Sequence, residues 1–420
     1  MLISKEYKKI DWILFFILFF RAIGIDERVY FVISILFFTV LILKNKFILY
    51  IPKVNGFVFY ILFVLYATFL GLYGGNGLRN VVRDLFYIVP TILWILISYS
   101  IGALNYKRKD IFKTIFLYGS LVSLKCIVTF ILHPSFDLTY IRNLFGENVY
   151  DIGFILPVMI AYVMFYNYIA FSRLVDKIII LLMAAQCIFS FGRMAIIEPL
   201  IGLAVIVLLL AKYRPNKRIY RYIFGIIIAL IIILVIFFYF MPSMLVRPFL
   251  DKFQNIFSEI NANHTYNSYD DAINNWRGYE INSVLNQWIN SDIIHKIFGF
   301  GLGKGIHIRY VPSEFYYVSN NEIPLLHNGF LTLLPKGGLL GVASLISMFL
   351  GGIKCGINML KFQNEYLKFE GIVLLSVVIS SIATTYVVRG PVEQGTFLVW
   401  AIFMGYLSCN FNEYKKGNNL

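Results

Sequence analysis

Apolar runs of about 17 to 25 residues recur from Trp12 to Phe411, separated by short basic or polar breaks. Each is long enough to cross a hydrocarbon core of roughly 30 Å as a helix. The pattern predicts spans at about 10–24, 29–43, 57–73, 85–104, 111–132, 152–170, 177–192, 194–211, 219–241, 324–353, 369–388 and 393–411. It predicts an all-α polytopic membrane protein of about twelve helices. The first run has no small-residue cleavage site after it and reads as a retained helix. One long segment interrupts the rhythm, dividing the chain into membrane helices over 1–241, a large polar loop over 242–323, and membrane helices over 324–420.

Composition agrees with this layout. The 420 residues are 59% hydrophobic and 14% charged, more apolar than a soluble fold of this length needs. The net charge of +14 raises the question of nucleic acid, but the basic residues sit in short clusters between apolar runs. They report topology instead. With Lys5, Lys8 and Lys9 in the cytoplasm, every second break is basic: Lys44/Lys46/Lys53, Lys107/Arg108/Lys109, Arg173/Lys177, Lys212 to Arg221, Lys354/Lys361/Lys368 and Lys415/Lys416. The opposite breaks are acidic and polar with isolated arginines, so both termini are expected inside. Cys126, Cys187, Cys355 and Cys409 are dispersed without paired spacing and imply neither a disulfide framework nor a zinc site.

The large loop is rich in Asn, Tyr, Ser and Asp in "NANHTYNSYDDAINNW" and turns apolar at "INSVLNQWINSDII". There Ile281, Val284, Leu285, Trp288 and Ile289 follow one helical face. An amphipathic helix on the outer membrane surface is expected, with Trp288 at the interface. Its Asn/Tyr-rich half lacks the apolar content for a core, so the loop is expected to order partly on ligand binding, carrying Arg277 inward. "FGFGLGKG", Phe298 to Gly305, has no strand signal or Walker Ser/Thr beside it, and reads as a flexible turn rather than a phosphate cradle.

Chemistry concentrates at the same side. The run from Pro324 to Ile353 would be about 45 Å long as a helix, too long to be only a span. Counting about 20 residues back from its basic end places His327 roughly 10 Å beyond the hydrocarbon core, at headgroup depth. Pro324 suits a first helical turn, so His327 would stand near a helix N-terminus, whose partial positive charge disfavours imidazolium and keeps the ring available as a base. An interfacial histidine bonded to a loop carbonyl is the blander alternative. Gly337 and Gly341, beside Pro335, suggest close helix packing and a kink.

Arg193, in "CIFSFGRMAIIEPLIG", is costly in a short turn between apolar spans unless something anionic pairs with it, and Glu198 is a local candidate. Arg389 has Glu393 nearby, and Arg277 has Glu280 one turn on. Taken together, these arginine-bearing elements and one histidine share a side of the membrane. Arginine's planar fork suits phosphate, and no Asp-x-Asp or His/Asp cluster outside would hold a divalent cation. A site free of metal and cofactor is expected.

"SFGR" before an apolar span, "WRGYEINSVLNQWINSDIIHKIFGFGLG" in the late loop and "HNGFLTLLPKGGLLG" opening the next span together resemble the O-antigen polymerase and O-antigen ligase superfamily. The likeness covers roughly Ser190 to Gly341. "LRNVVRDLFYI", with Arg83, is similar to a basic lead-in to the fourth span of these proteins. The resemblance implies a GT-C-like membrane glycosyltransferase of the bacterial inner membrane, active at its periplasmic face. The implied donor is an oligosaccharide on undecaprenyl diphosphate. By similarity Arg193 and Arg277, with Arg389, bind the diphosphate, and His327 activates the acceptor hydroxyl; Asn328, Glu280 and Arg83 would support them. The implied partners are the lipid-linked donor and acceptor, membrane lipids and a chain-length regulator protein, with no nucleic acid. The "HNGF" form, the Asn/Tyr-rich loop and the Ala-poor composition favour a polymerase, whose acceptor is another lipid-linked repeat unit, over a ligase, whose acceptor is the lipid A core. A precursor flippase is the alternative of another class; it should carry charges along a pathway through the bundle.

Overall fold

The computed structural model describes residues 11–44, 46–52, 54–105, 111–135, 137–213, 266, 268–311, 321–393 and 397–418. Each expected span within them overlaps a helix. The helices are α1 (Trp12–Ala22), α2 (Glu27–Lys44), α3 (Phe57–Tyr73), α4 (Leu78–Asn105), α5 (Ile111–Leu132), a short α6 (Leu138–Gly146), α7 (Val149–Ile160) continued by a π-turn (Ala161–Phe165), α8 (Arg173–Phe189) and α9 (Arg193–Tyr213). The expected span 219–241, the loop's 242–265 portion, and the basic groups Lys5 to Lys9, Lys107 to Lys109 and Arg214 to Arg221 lie outside the described residues. Beyond them come α10 (Tyr269–Asn274), α11 (Trp276–Asn290), α12 (Ile293–Phe298), β1 (Ile306–His307), β2 (Glu322–Ile323), α13 (Gly329–Leu360), α14 (Glu365–Val387), a 3-10 turn (Gly390–Val392) and α15 (Leu398–Asn418).

Length and apolarity qualify α4, α5, α9, α13 and α14 as candidate spans. The pair α6 and α7 qualifies together across a 58° bend, while α1 and α3 are apolar but shorter. In the core, α4 packs along α15, and α14 packs against α13 and α9. The four cysteines are buried and free.

α13 positions the site, and its start differs from expectation. The helix begins at Gly329, not near Pro324, because Asn328 caps it: the Asn328 side chain accepts the Leu331 N–H at 3.0 Å. Thr332 Oγ1 then accepts the Leu326 N–H at 3.0 Å, fastening the lead-in segment to the first turn. His327 therefore stands just ahead of the cap. At 32 residues α13 exceeds a bilayer crossing, and the excess is absorbed by a break at Gly338, where φ is 57° and ψ is −151°. Gly337 and Gly341 both lie against the Phe63 ring of α3, as their spacing predicts.

The break leaves carbonyls of the preceding turn without helical partners. The segment read as a flexible turn supplies them: Phe300 and Gly301 donate their N–H groups to Pro335 and Lys336 at 2.8 and 3.0 Å, and Leu302 donates to Ala67 at 2.8 Å. Asn76 of the α3–α4 turn donates to the carbonyls of Phe300 and Leu302 at 2.8 and 3.0 Å. "FGFGLGKG" is thus bolted between α3 and α13. Gly301 has φ of 87°, and a Cβ there would lie 2.2 Å from the Gly71 nitrogen.

The loop forms a small apolar cluster of its own, in which Tyr279 and Val284 of α11 pack with Ile306, Ile308, Ile323 and Leu326. β1 and β2 pair antiparallel, Ile306 opposite Ile323. Part of the expected amphipathic face is therefore spent on protein: Val284 is buried and Leu285 packs on the cluster, whereas Ile289 is exposed. α11 is docked on the lead-in to α13, with Arg277 beside His327.

Candidate active site

Glu280 and His327 are the closest pair in the site. The His327 backbone N–H donates to Glu280 Oε2 at 2.9 Å, and the ring Nδ1 lies 3.0 Å from Oε2 and 3.1 Å from Oε1. Glu280 is 3% exposed, while the imidazole keeps a third of its surface open. A buried carboxylate facing Nδ1 holds the proton on that nitrogen, which leaves Nε2 as a proton acceptor. The neighbour governing the ring is thus a carboxylate rather than the helix terminus alone.

Arg277, one turn before Glu280 on α11, lines the same open pocket, together with Ile281, Leu326, Asn328, and Tyr386 and Val387 from the end of α14. Glu280, which spacing offers to Arg277 as a local partner, faces His327. Arg389 arrives from another direction. Its carbonyl oxygen would lie 2.1 Å from a Cβ on Gly329, so its backbone rests against the first residue of α13, and its guanidinium pairs with Glu393 as the local spacing allows. The charges of Arg277, Arg142, Glu393 and Glu198 all act on Tyr150 at the start of α7, which places these groups around one end of the bundle.

Arg193 and Arg83 are not among the residues lining this pocket. Arg193, half-buried, begins α9 and does not line the His327 pocket. It is nonetheless level with it. Ser376 Oγ of α14 donates to the Gly202 carbonyl at 2.8 Å across antiparallel helices. Nine residues along each, about 13 Å, bring Arg193 to the height of Thr385, next to Tyr386. Glu198 is fully buried and accepts no hydrogen bond from Arg193. Arg83 bonds Asp84 and Asn80 and belongs to a separate cluster.

In that cluster Lys336 Nζ donates to Asp84 Oδ2 and, at 3.1 Å, to the Lys304 carbonyl; both side chains are 1% exposed. Asp84 also accepts the Gly303 N–H at 2.7 Å, and Lys304 pairs with Glu322 at 2.9 Å. Neither Asp84 nor Lys336 stands out when the sequence is read for catalytic groups, although a lysine inside "LTLLPKGGLL" is the kind of intramembrane charge that demands a partner. Among the described residues no three His, Cys, Asp or Glu side chains come together as a metal ion requires.

No curated protein matches the chain. Residues 178–346 match the family model described as O-antigen ligase. The matched stretch contains Arg193, Arg277, Glu280, His327, Asn328 and Lys336 and leaves out Arg83 and Arg389. This match over residues 178–346 bears out the resemblance to the O-antigen ligase and polymerase superfamily.

Proposed function

We propose that this protein is an inner-membrane glycosyltransferase that polymerises surface polysaccharide, moving a glycan from undecaprenyl diphosphate onto another lipid-linked repeat unit at the periplasmic face. The observation that carries the reading is the buried Glu280 holding His327 at the mouth of a pocket that Arg277 also lines. His327 Nε2 takes the proton of the acceptor hydroxyl as its oxygen attacks the anomeric carbon. The bond from that carbon to the diphosphate oxygen breaks, and the leaving diphosphate takes the electron pair. The imidazolium formed faces the Glu280 carboxylate. Arg277 meets the charge developing on the diphosphate, with Arg193 and Arg389 at the same end of the bundle. The chemistry requires no metal. About twelve spans of GT-C-like arrangement, with both termini cytoplasmic, complete the proposed architecture.

The placement of charge favours an enzyme over a flippase. Asp84, Lys336, Asp151 and Glu198 are buried, yet each lies within about two turns of the start of its helix rather than along a pathway through the middle. A ligase is the second reading, favoured by the description of the matched family model. The surface polysaccharide of a strain lacking this chain separates the two. Core carrying a single repeat supports the polymerase; long chains left on undecaprenyl diphosphate overturn it in favour of the ligase.

Arg193 gives a further prediction. If it makes a bidentate phosphate contact, Arg193→Lys fails nearly as badly as Arg193→Ala, because an ammonium cannot reproduce the planar fork. Activity should fall in both variants while membrane abundance holds. Full activity in Arg193→Lys would leave Arg193 as a point charge or a structural group.

A further inference from the structure

A cavity much larger than the His327 pocket lies elsewhere in the bundle. A groove of about 660 Å³ opens between α7 with its π-turn, α8 and α9. Its walls run from Tyr168 and Arg173 to Ile188 and Ile196. From Arg173 to Ile188 along α8 is fifteen steps of the helix, or about 22 Å, most of a hydrocarbon core. The irregular backbone makes room for it: Pro157 removes a helical N–H, the π-turn follows at Ala161–Phe165, and Pro199 of α9 lines the facing wall.

The charged groups in the lining all lie at one end, where α8 begins. Arg173, Asp176 and Lys177 are there, whereas the end near Ile188 and Ile196 is apolar. Asp176 is fully buried and committed to the backbone, accepting the N–H groups of Ala170 and Phe171 at 3.0 and 3.1 Å. That leaves two exposed cations, one turn apart, at the mouth of a long apolar groove. This mouth is at the opposite face of the membrane from His327, since α8 ends and α9 begins at the His327 face. A ligand with its tail in the groove and its anion on Arg173 and Lys177 therefore cannot be the donor held with its diphosphate at His327.

We propose that this groove binds an anionic phospholipid of the opposite leaflet, its phosphate on Arg173 and Lys177 and an acyl chain between α7 and α8. Two cations of this kind strengthen binding by roughly thirtyfold over a neutral headgroup.

The test uses the full-length protein, purified and delipidated, offered phosphatidylglycerol, phosphatidylcholine or undecaprenyl phosphate, with retained lipid read by native mass spectrometry. Phosphatidylglycerol should be retained over phosphatidylcholine, and the Arg173→Gln/Lys177→Gln variant should lose that preference by about tenfold or more. Both side chains are exposed, so the variant is expected to fold, and an unchanged thermal midpoint without lipid checks this. The proposal is overturned if undecaprenyl phosphate is retained in preference and the variant retains it equally, which would make the groove a donor-tail site. It is also overturned if no lipid is retained, as when another segment of the chain fills the groove. The readout is binding at a face remote from His327, so its outcome is independent of whether the glycosyltransferase reading holds.

Discussion

His327→Ala should leave the protein inserted and abundant while lowering glycan transfer by about 10² to 10⁴, the usual contribution of a positioned base. The imidazole is partly open and the fold around it rests on neighbours: Asn328 caps α13 and Thr332 fastens Leu326. Removing the ring should therefore cost chemistry rather than structure. Glu280→Gln sharpens the test. Its amide oxygen would take the His327 backbone N–H, which needs an acceptor, and would leave the NH₂ facing Nδ1. The ring would then carry its proton on Nε2, the wrong tautomer for a base, so a loss of the same order is expected with the pocket shape preserved. Polysaccharide ladders compared with membrane abundance read both variants. Near-normal polymer in His327→Ala would remove the residue from the mechanism.

The second large effect is on stability. Asp84→Ala leaves the Lys336 ammonium in a buried position with only the Lys304 carbonyl, and removes the acceptor for the Gly303 N–H. Breaking a buried pair from one side costs about 3 to 5 kcal/mol. Membrane abundance and the thermal midpoint in detergent should both fall steeply. Asp84→Leu combined with Lys336→Met should recover most of the loss, because the penalty arises from the orphaned charge more than from the missing attraction. A single variant as stable as the parent would show that water reaches the pair.

Much of the scaffold was legible because hydrophobic periodicity is local. The expected runs 57–73 and 111–132 coincide with α3 and α5. His327 was legible through a length argument, since a run of thirty apolar residues had to hold something other than a span. Its true cap was harder to read: Pro324 suits a first helical turn, but Asn328 caps α13 and Thr332 fastens Leu326 ahead of it. The Glu280–His327 pair was hidden by its separation of 47 residues, with Arg277 offering Glu280 a partner only one turn away. Asp84 and Lys336 lie 252 residues apart, and no periodicity links them. The glycines of "FGFGLGKG" were read as freedom because sequence shows what glycine permits, not what approaches it.

That segment bears on how the protein can vary. Gly299, Gly301 and Gly303 all sit at positive φ, and a methyl group on any of them would lie within about 3 Å of another part of the chain. None of the three carries chemistry. Across descendants of this chain they should nonetheless resist replacement as firmly as His327, so invariance alone would mark a phosphate-binding loop where there is only a joint.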